Sequence, residues 1–463
     1  MKYIFFSLLT LPAIAAISPA VVKESALKYH PTVLSALENL RASEESITGA
    51  RGRFDAKVVS NYKRQTKHSW NTTVSRTQIE KPLRLANSKI YGGTEQISNP
   101  DGALAPIYNT GNPGTTGQPG NYSLLGLQLS LWKNLTLDPD RAALKNAKYD
   151  AKIARGDKTI TELDIGRLGQ LAYWEWVTAQ KVKNAYEELL KNGETRNEYL
   201  MARNKRGDIA EILVTENEQY VASRQGSYQA AKERLLRAEF ALSLFLRNEK
   251  GDPIFPIPPE NYEDYPSKLA VLLENLDINS NIDELIQKRP DMKNLSLIVE
   301  KSDVDLELAK QDLRPQVDVT TEYFQRTVNH PGIHRDYLMV MAQVSVPIER
   351  NLGNGKIAAA RARKMVAQKQ LSYGHQSYKY EVMALRQSLA LRLEQVTQSE
   401  IEFTKSKELV ISETYKLKTG GGNLFLVNVR EQAQASAEAS FHESRLAFMD
   451  TLLTYQALIS TGE

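Results

Sequence analysis

The feature that most constrains this chain is that it repeats itself. Tyr29-His30-Pro31 aligns with Lys288-Arg289-Pro290 at an offset of 259 residues, and the segments after them agree in character: residues 34–53 and 293–312 are both polar, acidic and helical in pattern. Each then gives way to an alternating stretch, residues 54–58 and 316–320. Further on, Gln128-Leu129-Ser130-Leu131 matches Gln343-Val344-Ser345-Val346 at an offset of 215. The same offset carries Gly207 onto Gly422, Glu216 onto Glu431 and Phe240 onto Tyr455. The drop from 259 to 215 places 44 additional residues in the first half, between Lys57 and Gln128. A chain of 463 residues that duplicates itself over most of its length is one elongated architecture built twice.

Each half reads as helix, strand, loop, strand, very long helix, glycine turn, long helix. No proline interrupts residues 139–201 or 353–419, and a continuous helix of that length extends roughly 95–100 Å at ~1.5 Å per residue. Val382, Leu385, Leu389, Leu393 and Val396 step by three and four, a narrow seam of coiled-coil type. Alanines are dense, as in Ala358-Ala359-Ala360, and let helix backbones approach closely. Gly207 and Gly420-Gly421-Gly422 mark the turns, where glycine relieves the left-handed cap conformation. The expected organisation is a leader over residues 1–16 and a first repeat over 17–250 with an inserted loop at 65–121. A proline-rich linker over 251–279 and a second repeat over 280–463 complete it.

The leader reading rests on Lys2, the apolar stretch 4–11, Pro12 and the small residues Ala13-Ile14-Ala15-Ala16, the layout of a secretory signal with cleavage after Ala15 or Ala16. The mature chain has no run of ~18–20 apolar residues, so no membrane helix is expected. Cysteine is absent, which excludes disulfides, thiolate metal sites and a lipid anchor on an N-terminal cysteine. Lys and Arg number 59 against 55 Asp and Glu, without long basic runs, so the chain lacks the concentrated positive charge of a nucleic-acid binder.

The strands alternate cleanly. In residues 338–346 one face is Leu338, Val340, Ala342, Val344 and Val346, while the other turns polar at Gln343 and Ser345; in residues 125–131 one face is all leucine. That pattern suits a transmembrane barrel strand, and equally a strand on a soluble core. If the strands face lipid, the sheet has to close, because an open edge leaves backbone groups unpaired in hydrocarbon. Four strands per chain cannot close alone, since the small barrels need about eight. Three chains would give twelve. The insertion adds an alternating stretch at 70–79, another at 88–97 and a glycine- and proline-rich segment at 102–120, which reads as an extra hairpin and a loop at the cell surface. Either residues 54–63 or residues 70–80 could supply the first barrel strand.

In its order of elements the chain resembles the TolC-type outer-membrane efflux and secretion channels (outer membrane factors). The resemblance is carried by Arg289-Pro290-Asp291 opening the second half and by Leu313-Arg314-Pro315-Gln316-Val317 at the helix-to-strand switch. Gly353-Asn354-Gly355-Lys356 before the alanine-rich helix, and Gly422 followed by Val427-Asn428-Val429 at the helical tip, complete it. It implies a mainly α fold in which long antiparallel helical hairpins form a trimeric α-barrel and four strands per chain contribute to a 12-stranded membrane barrel. It further implies a homotrimer in the outer membrane with its tunnel in the periplasm, serving as the passive exit duct of an efflux pump or type I secretion system. The implied partners are a periplasmic adaptor, an inner-membrane transporter and outer-membrane lipid.

The family gates its tunnel with acidic residues six and nine positions after the tip glycine. Here those positions hold Asn428 and Glu431, so one acidic ring is missing. The family's latch tyrosine and aspartate fall on Thr419 and Leu213, so that latch cannot form as written; Asp208 and Glu211 at the other tip could supply charge. The same four polar residues also read as solvated helix ends. Other motifs carry less. Gly353-Asn354-Gly355-Lys356 lacks the phosphate-loop spacing. Asp138-Pro139-Asp140 reads as a helix cap, Tyr173, Trp174 and Trp176 as packing, and His330 with His334 as a weak metal pair. No nucleophile–base pair stands out, so neither catalysis nor a cofactor is expected. The competing reading is a soluble periplasmic coiled-coil adaptor or scaffold, although the proline-rich linker between the helical arms is too short for a lipoyl-like β domain.

Overall fold

The computed structural model describes residues 17–67, 70–98, 120–256, 262–266, 269–274, 281–327 and 336–460. The expected leader, His68, His330, His334 and nearly all of the glycine- and proline-rich segment at 102–120 lie outside the described residues. In chain order the elements are α1 (Pro19–Tyr29), α2 (Pro31–Gly52), β1 (Lys57–Lys67), β2 (Trp70–Pro82), β3 (Lys89–Ser98) and β4 (Gly120–Ser130). Next come α3 (Pro139–Lys205), α4 (Glu211–Ser243), α5 (Leu269–Glu274), α6 (Ile282–Lys288) and α7 (Pro290–Gln311). The chain closes with β5 (Gln316–Arg326), β6 (Tyr337–Ser345), α8 (Asn351–Lys418) and α9 (Leu424–Ile459).

The duplication is visible element by element. Helices α2 and α7 each have 22 residues and begin 259 apart, as do the 11-residue strands β1 and β5. Strands β4 and β6 end 215 apart, and the 67-residue α3 is answered by the 68-residue α8. The hairpin β2–β3 has no counterpart in the second half; it is the insertion.

By contacts the chain divides into two compact units. One comprises the described residues within 17–38, 157–292 and 375–460, the other those within 39–156 and 293–374. The first is helical and built on seams with a seven-residue repeat. Along α4 the buried residues Asn217, Arg224, Ala231 and Ala238 are spaced by seven, and along α9 so are Asn428, Ala435, His442 and Met449. On α8, Val382, Leu389 and Val396 are buried at the same spacing. Val182, Ala231 and Ala439 meet where α3, α4 and α9 pack, small side chains permitting close approach. Tyr173, Trp174 and Trp176 are buried: the Tyr173 hydroxyl donates to the Glu263 carbonyl at 2.6 Å, and Trp174 stacks on Tyr265 at 4.7 Å.

His442 sits in this seam with Nδ1 lacking a partner among the described residues. Burial, and secondarily the Arg445 and Lys181 charges, lower its pKa to about 4, with Asp264 opposing. The unfolded chain therefore takes up a proton on this imidazole that the folded chain refuses. Its contribution is complete above the ordinary histidine value of ~6.5 and is lost as pH falls toward 4, on the order of 3 kcal/mol. We expect His442→Gln to shrink the drop in melting temperature between pH 7.5 and pH 4.5; an unchanged drop would rule this histidine out as its source.

In the second unit the strands form one antiparallel sheet in the order β1-β2-β3-β4-β5-β6. It holds six strands: the four expected of the two repeats and the two of the expected extra hairpin, which joins the same sheet. Along their lengths β2 pairs with β1 and β3 with β4, so both residues 57–67 and residues 70–82 are strands of the same sheet. Its turn is tied to the sheet by Leu83 N–H donating to the Ser88 carbonyl at 2.7 Å and Ser130 N–H to the Ala86 carbonyl at 3.2 Å.

The buried face of the sheet mixes an apolar cluster of Tyr91, Ile97, Tyr122, Leu124 and Phe324 with charges, and the opposite face is apolar and exposed. Arg76, Gln78, Glu80, Glu95 and Glu322 are buried on one face, while Val58, Ile79, Leu125, Tyr323, Leu338 and Val340 on the other are exposed. Arg76 on β2 meets Glu322 on β5 at 2.5 Å and Glu95 on β3 at 3.6 Å. The Tyr91 hydroxyl also donates to Glu322, at 2.6 Å. In a flat sheet β2 and β5 would stand ~14 Å apart, so these bonds require the sheet to curl with its charged face inward.

Where α3 and α7 pack in this unit, a Cβ on Gly156 would lie 2.1 Å from Oδ1 of Asn294, a buried side chain whose amide donates to the Ile153 carbonyl. Alanine in a helix gains about 1 kcal/mol over glycine, but overpacking costs about 1–3 kcal/mol. Gly156→Ala should therefore lower the melting temperature in the wild-type background and raise it in Asn294→Ala. Stabilisation in both backgrounds would show that the helices yield.

Candidate functional site

The residues singled out from the sequence gather around two helix turns in the first unit. Between α3 and α4, Gly207 takes φ +79°, donates to the Asn204 carbonyl at 2.8 Å, and Asp208 N–H reaches the Arg203 carbonyl at 3.1 Å. Between α8 and α9, Gly420 takes φ +87°, donates to the Leu417 carbonyl at 3.3 Å, and Gly421 N–H reaches the Lys416 carbonyl at 3.0 Å. Both are Schellman caps, in which glycine adopts the left-handed conformation at no steric cost. The residue equivalent to Gly207 is therefore Gly420, at an offset of 213, where alignment at 215 had selected Gly422. Gly422 lies two residues past the cap, and Asn423 then caps α9 by accepting from Phe425 N–H at 3.0 Å.

Asp208 and Glu211 are exposed. Asp208 lies 3.4 Å from Arg206 and 4.0 Å from Arg203, and Glu211 opens α4, where an acidic group suits the helix dipole. Asn428 and Glu431 are buried, and the structure brings them together with two arginines that sequence reasoning missed. Arg196 of α3 forks onto Glu431, Nη2 to Oε1 at 2.5 Å and Nη1 to Oε2 at 2.9 Å. Arg224 of α4, only 1% exposed, donates to Oε2 of Glu431 at 3.0 Å, to Oδ1 of Asn428 at 3.2 Å and to the Leu189 carbonyl at 3.1 Å. Asn428 Oδ1 also accepts from Arg196 at 2.5 Å. Asn217 bridges the Gly193 carbonyl at 3.3 Å and Asn197 at 3.1 Å.

The cluster joins α3, α4 and α9 with two guanidiniums and one carboxylate. Burial lowers the Arg224 pKa while Glu431 pulls it back up, and a guanidinium remains charged under either influence. Asn428 supplies the neutral acceptor that both arginines need. A visible signal existed: Arg224 and Asn217 fall on the seven-residue seam of α4, and Asn428 on that of α9, where apolar residues are the rule. Thr419 and Leu213, the positions of the family latch, form no bond with each other: the Thr419 hydroxyl bonds the Tyr415 and Lys416 carbonyls of its own helix.

The secondary motifs resolve locally. Asp138 caps α3 by accepting from Arg141 N–H at 2.8 Å, and Lys356, in the first turns of α8, pairs with Asp312 at 2.6 Å. Among the described residues no group of three or more histidines and carboxylates is placed to hold a metal ion.

Comparison with solved structures places this fold. The outer membrane protein VceC of Vibrio cholerae aligns over 96% of this chain and 97% of its own, at TM-score 0.66 and 14% identity. The open-state outer membrane channel MtrE of Neisseria gonorrhoeae aligns over 98% and 94%, at 0.66 and 14%. The outer membrane channel CmeC of Campylobacter jejuni aligns over 100% and 93%, at 0.65 and 14%. The chain thus has the fold of these outer-membrane channels. No family model and no curated protein matches its sequence.

Removing Glu431 leaves two guanidiniums, one fully buried, without a counter-charge, a change that costs roughly 3–5 kcal/mol. We expect Glu431→Ala to accelerate hydrogen exchange across residues 424–435, and the triple variant Glu431→Met, Arg196→Met, Arg224→Met to restore most of the protection. Equal protection in wild type and Glu431→Ala would deny the cluster any structural role.

Proposed function

We propose that this protein is an outer-membrane channel-tunnel, the passive exit duct of a tripartite efflux pump or a type I secretion system. It works as a homotrimer with a periplasmic adaptor and an inner-membrane transporter. The observation that carries the reading is the sheet's outer face: valine, leucine and tyrosine stand exposed on it, while Arg76, Glu95 and Glu322 are buried on the other beside a small apolar cluster. A barrel in lipid presents that arrangement; a soluble sheet presents the reverse. The fold shared with the channels VceC, MtrE and CmeC supports the same assignment. The soluble adaptor reading gains nothing from an exposed apolar sheet face.

Within this reading the helix turns form the periplasmic entrance of the tunnel. Asp208 and Glu211 supply its exposed acidic groups. Asn428 and Glu431 act from behind, holding α9 to α3 and α4 so that the three move as one wedge. In this reading the constraint on opening lies in this cluster, which ties α9 to α3 and α4. Cargo selection belongs to the transporter, because the duct offers no built binding site among the described residues.

The test is fractionation of cells expressing the full chain. We expect an oligomer in the outer membrane that shifts to monomer mobility on heating, and ion-conducting events when the purified oligomer is added to planar bilayers. A monomer confined to the soluble periplasm would overturn the assignment.

A further inference from the structure

The inserted hairpin β2–β3 bears on how the wall of the channel is built. Its charged side chains Arg76, Glu80 and Glu95 lie on the buried face. By the register of the sheet, the opposite face of β2 from Thr73 to Ile79 and of β3 from Ile90 to Gln96 carries no charged residue. A flap lying in water on the outside of a barrel would present its charges to solvent. This hairpin turns Arg76, Glu80 and Glu95 inward and leaves only Lys81, next to the end of β2, on the outer face, as a segment of wall facing lipid does. Its strands of 13 and 10 residues also meet the ~9–11 residues needed to cross the hydrocarbon.

The sheet ends on two strands with a free side. β1 pairs with β2 and β6 with β5, and neither pairs with the other. Soluble proteins guard such edges with charges or proline. β6 reads Tyr-Leu-Met-Val-Met-Ala-Gln-Val-Ser and has neither, with Leu338, Val340 and Val344 exposed on its outer face, whereas β1 carries Lys57, Lys63, Arg64 and Lys67. Because the strand number is even and every pairing antiparallel, β1 and β6 run in opposite directions. A second copy can therefore continue the ladder without a break in pattern.

We propose that the inserted hairpin is part of the membrane wall, so that each chain supplies six strands. β6 of one copy pairs antiparallel with β1 of the next, and the trimer closes at eighteen strands instead of twelve. The proposal rests on the channel reading above. The occupant of the free edge is a second copy of this chain, because hydrocarbon leaves no water to satisfy those backbone groups and six strands are too few to close on themselves. Barrel diameter grows roughly linearly with strand number, so the pore wall is about half again as wide as a twelve-stranded one.

The chain contains no cysteine, so paired cysteines report strand neighbours without background. Ser60 and Ala342 are exposed on the outer face of β1 and β6. Directly opposed residues of an antiparallel pair lie within disulfide reach. We expect Ser60→Cys combined with Ala342→Cys, or with Val340→Cys or Val344→Cys one register step away, to give a disulfide ladder ending at three chains. The experiment uses full-length protein in native outer membranes after mild oxidation. A ladder ending at two chains overturns the count of eighteen, and an intrachain bond between β1 and β6 overturns the interchain closure. An assembled, heat-modifiable outer-membrane oligomer that cross-links in none of the three registers overturns the edge pairing while leaving the channel reading intact. A soluble monomer removes the channel reading itself.

Discussion

A helix of 67 or 68 residues depends for its stability on what lies against it. Isolated helices gain little from propensity alone, and tertiary packing of one stripe supplies most of what holds them. Here the stripes are narrow and largely small: Ala231, Ala238, Ala435 and Ala439. Small residues bring backbones close but bury little apolar area per contact, so register is weakly specified by shape alone. The polar residues placed in the same stripes answer that weakness. Asn217, Arg224 and Asn428 have partners at one register only, and sliding either helix by a turn strands a buried guanidinium. The Arg196–Glu431–Arg224 cluster thus defines which residues of α3, α4 and α9 face each other next to the turns.

Much of this architecture was legible in the sequence, because a duplication is read from spacing and spacing survives where residue identity does not. The matched helices α2 and α7 and strands β1 and β5 are related by one offset. The turns were found through their glycines, although the cap geometry moves the second from Gly422 to Gly420. What stayed hidden was of two kinds. The arginines of the tip cluster belong to helices far apart in sequence from Glu431, and nothing local announces a pair formed across 235 or 207 residues. The extra hairpin was legible but its place was not, because a hairpin reads the same whether it joins a sheet or lies upon it; only pairing to β1 and β4 distinguishes the two.

The sheet resolves an ambiguity that alternation alone leaves open. A period of two says that one face differs from the other, without saying which is wet. The bonds from Arg76 and Tyr91 to Glu322 supply the sign, because they draw the charged face inward and leave Val58, Leu125, Leu338 and Val340 outside. The low mean hydropathy of the chain, −0.42, reflects the long helices, whose polar stripes outnumber their buried ones.

The bond between Arg76 and Glu322 also has a consequence for the duplication. Arg76 lies on the hairpin that only the first half carries, and Glu322 lies on a strand of the second half. An addition peculiar to one repeat has become the counter-ion for a buried carboxylate in the other. Deleting it would remove Arg76 and Tyr91 together and leave Glu322 enclosed without its cation and its hydroxyl donor. The two repeats are therefore not independent: a buried carboxylate of the second relies on a hairpin that only the first carries.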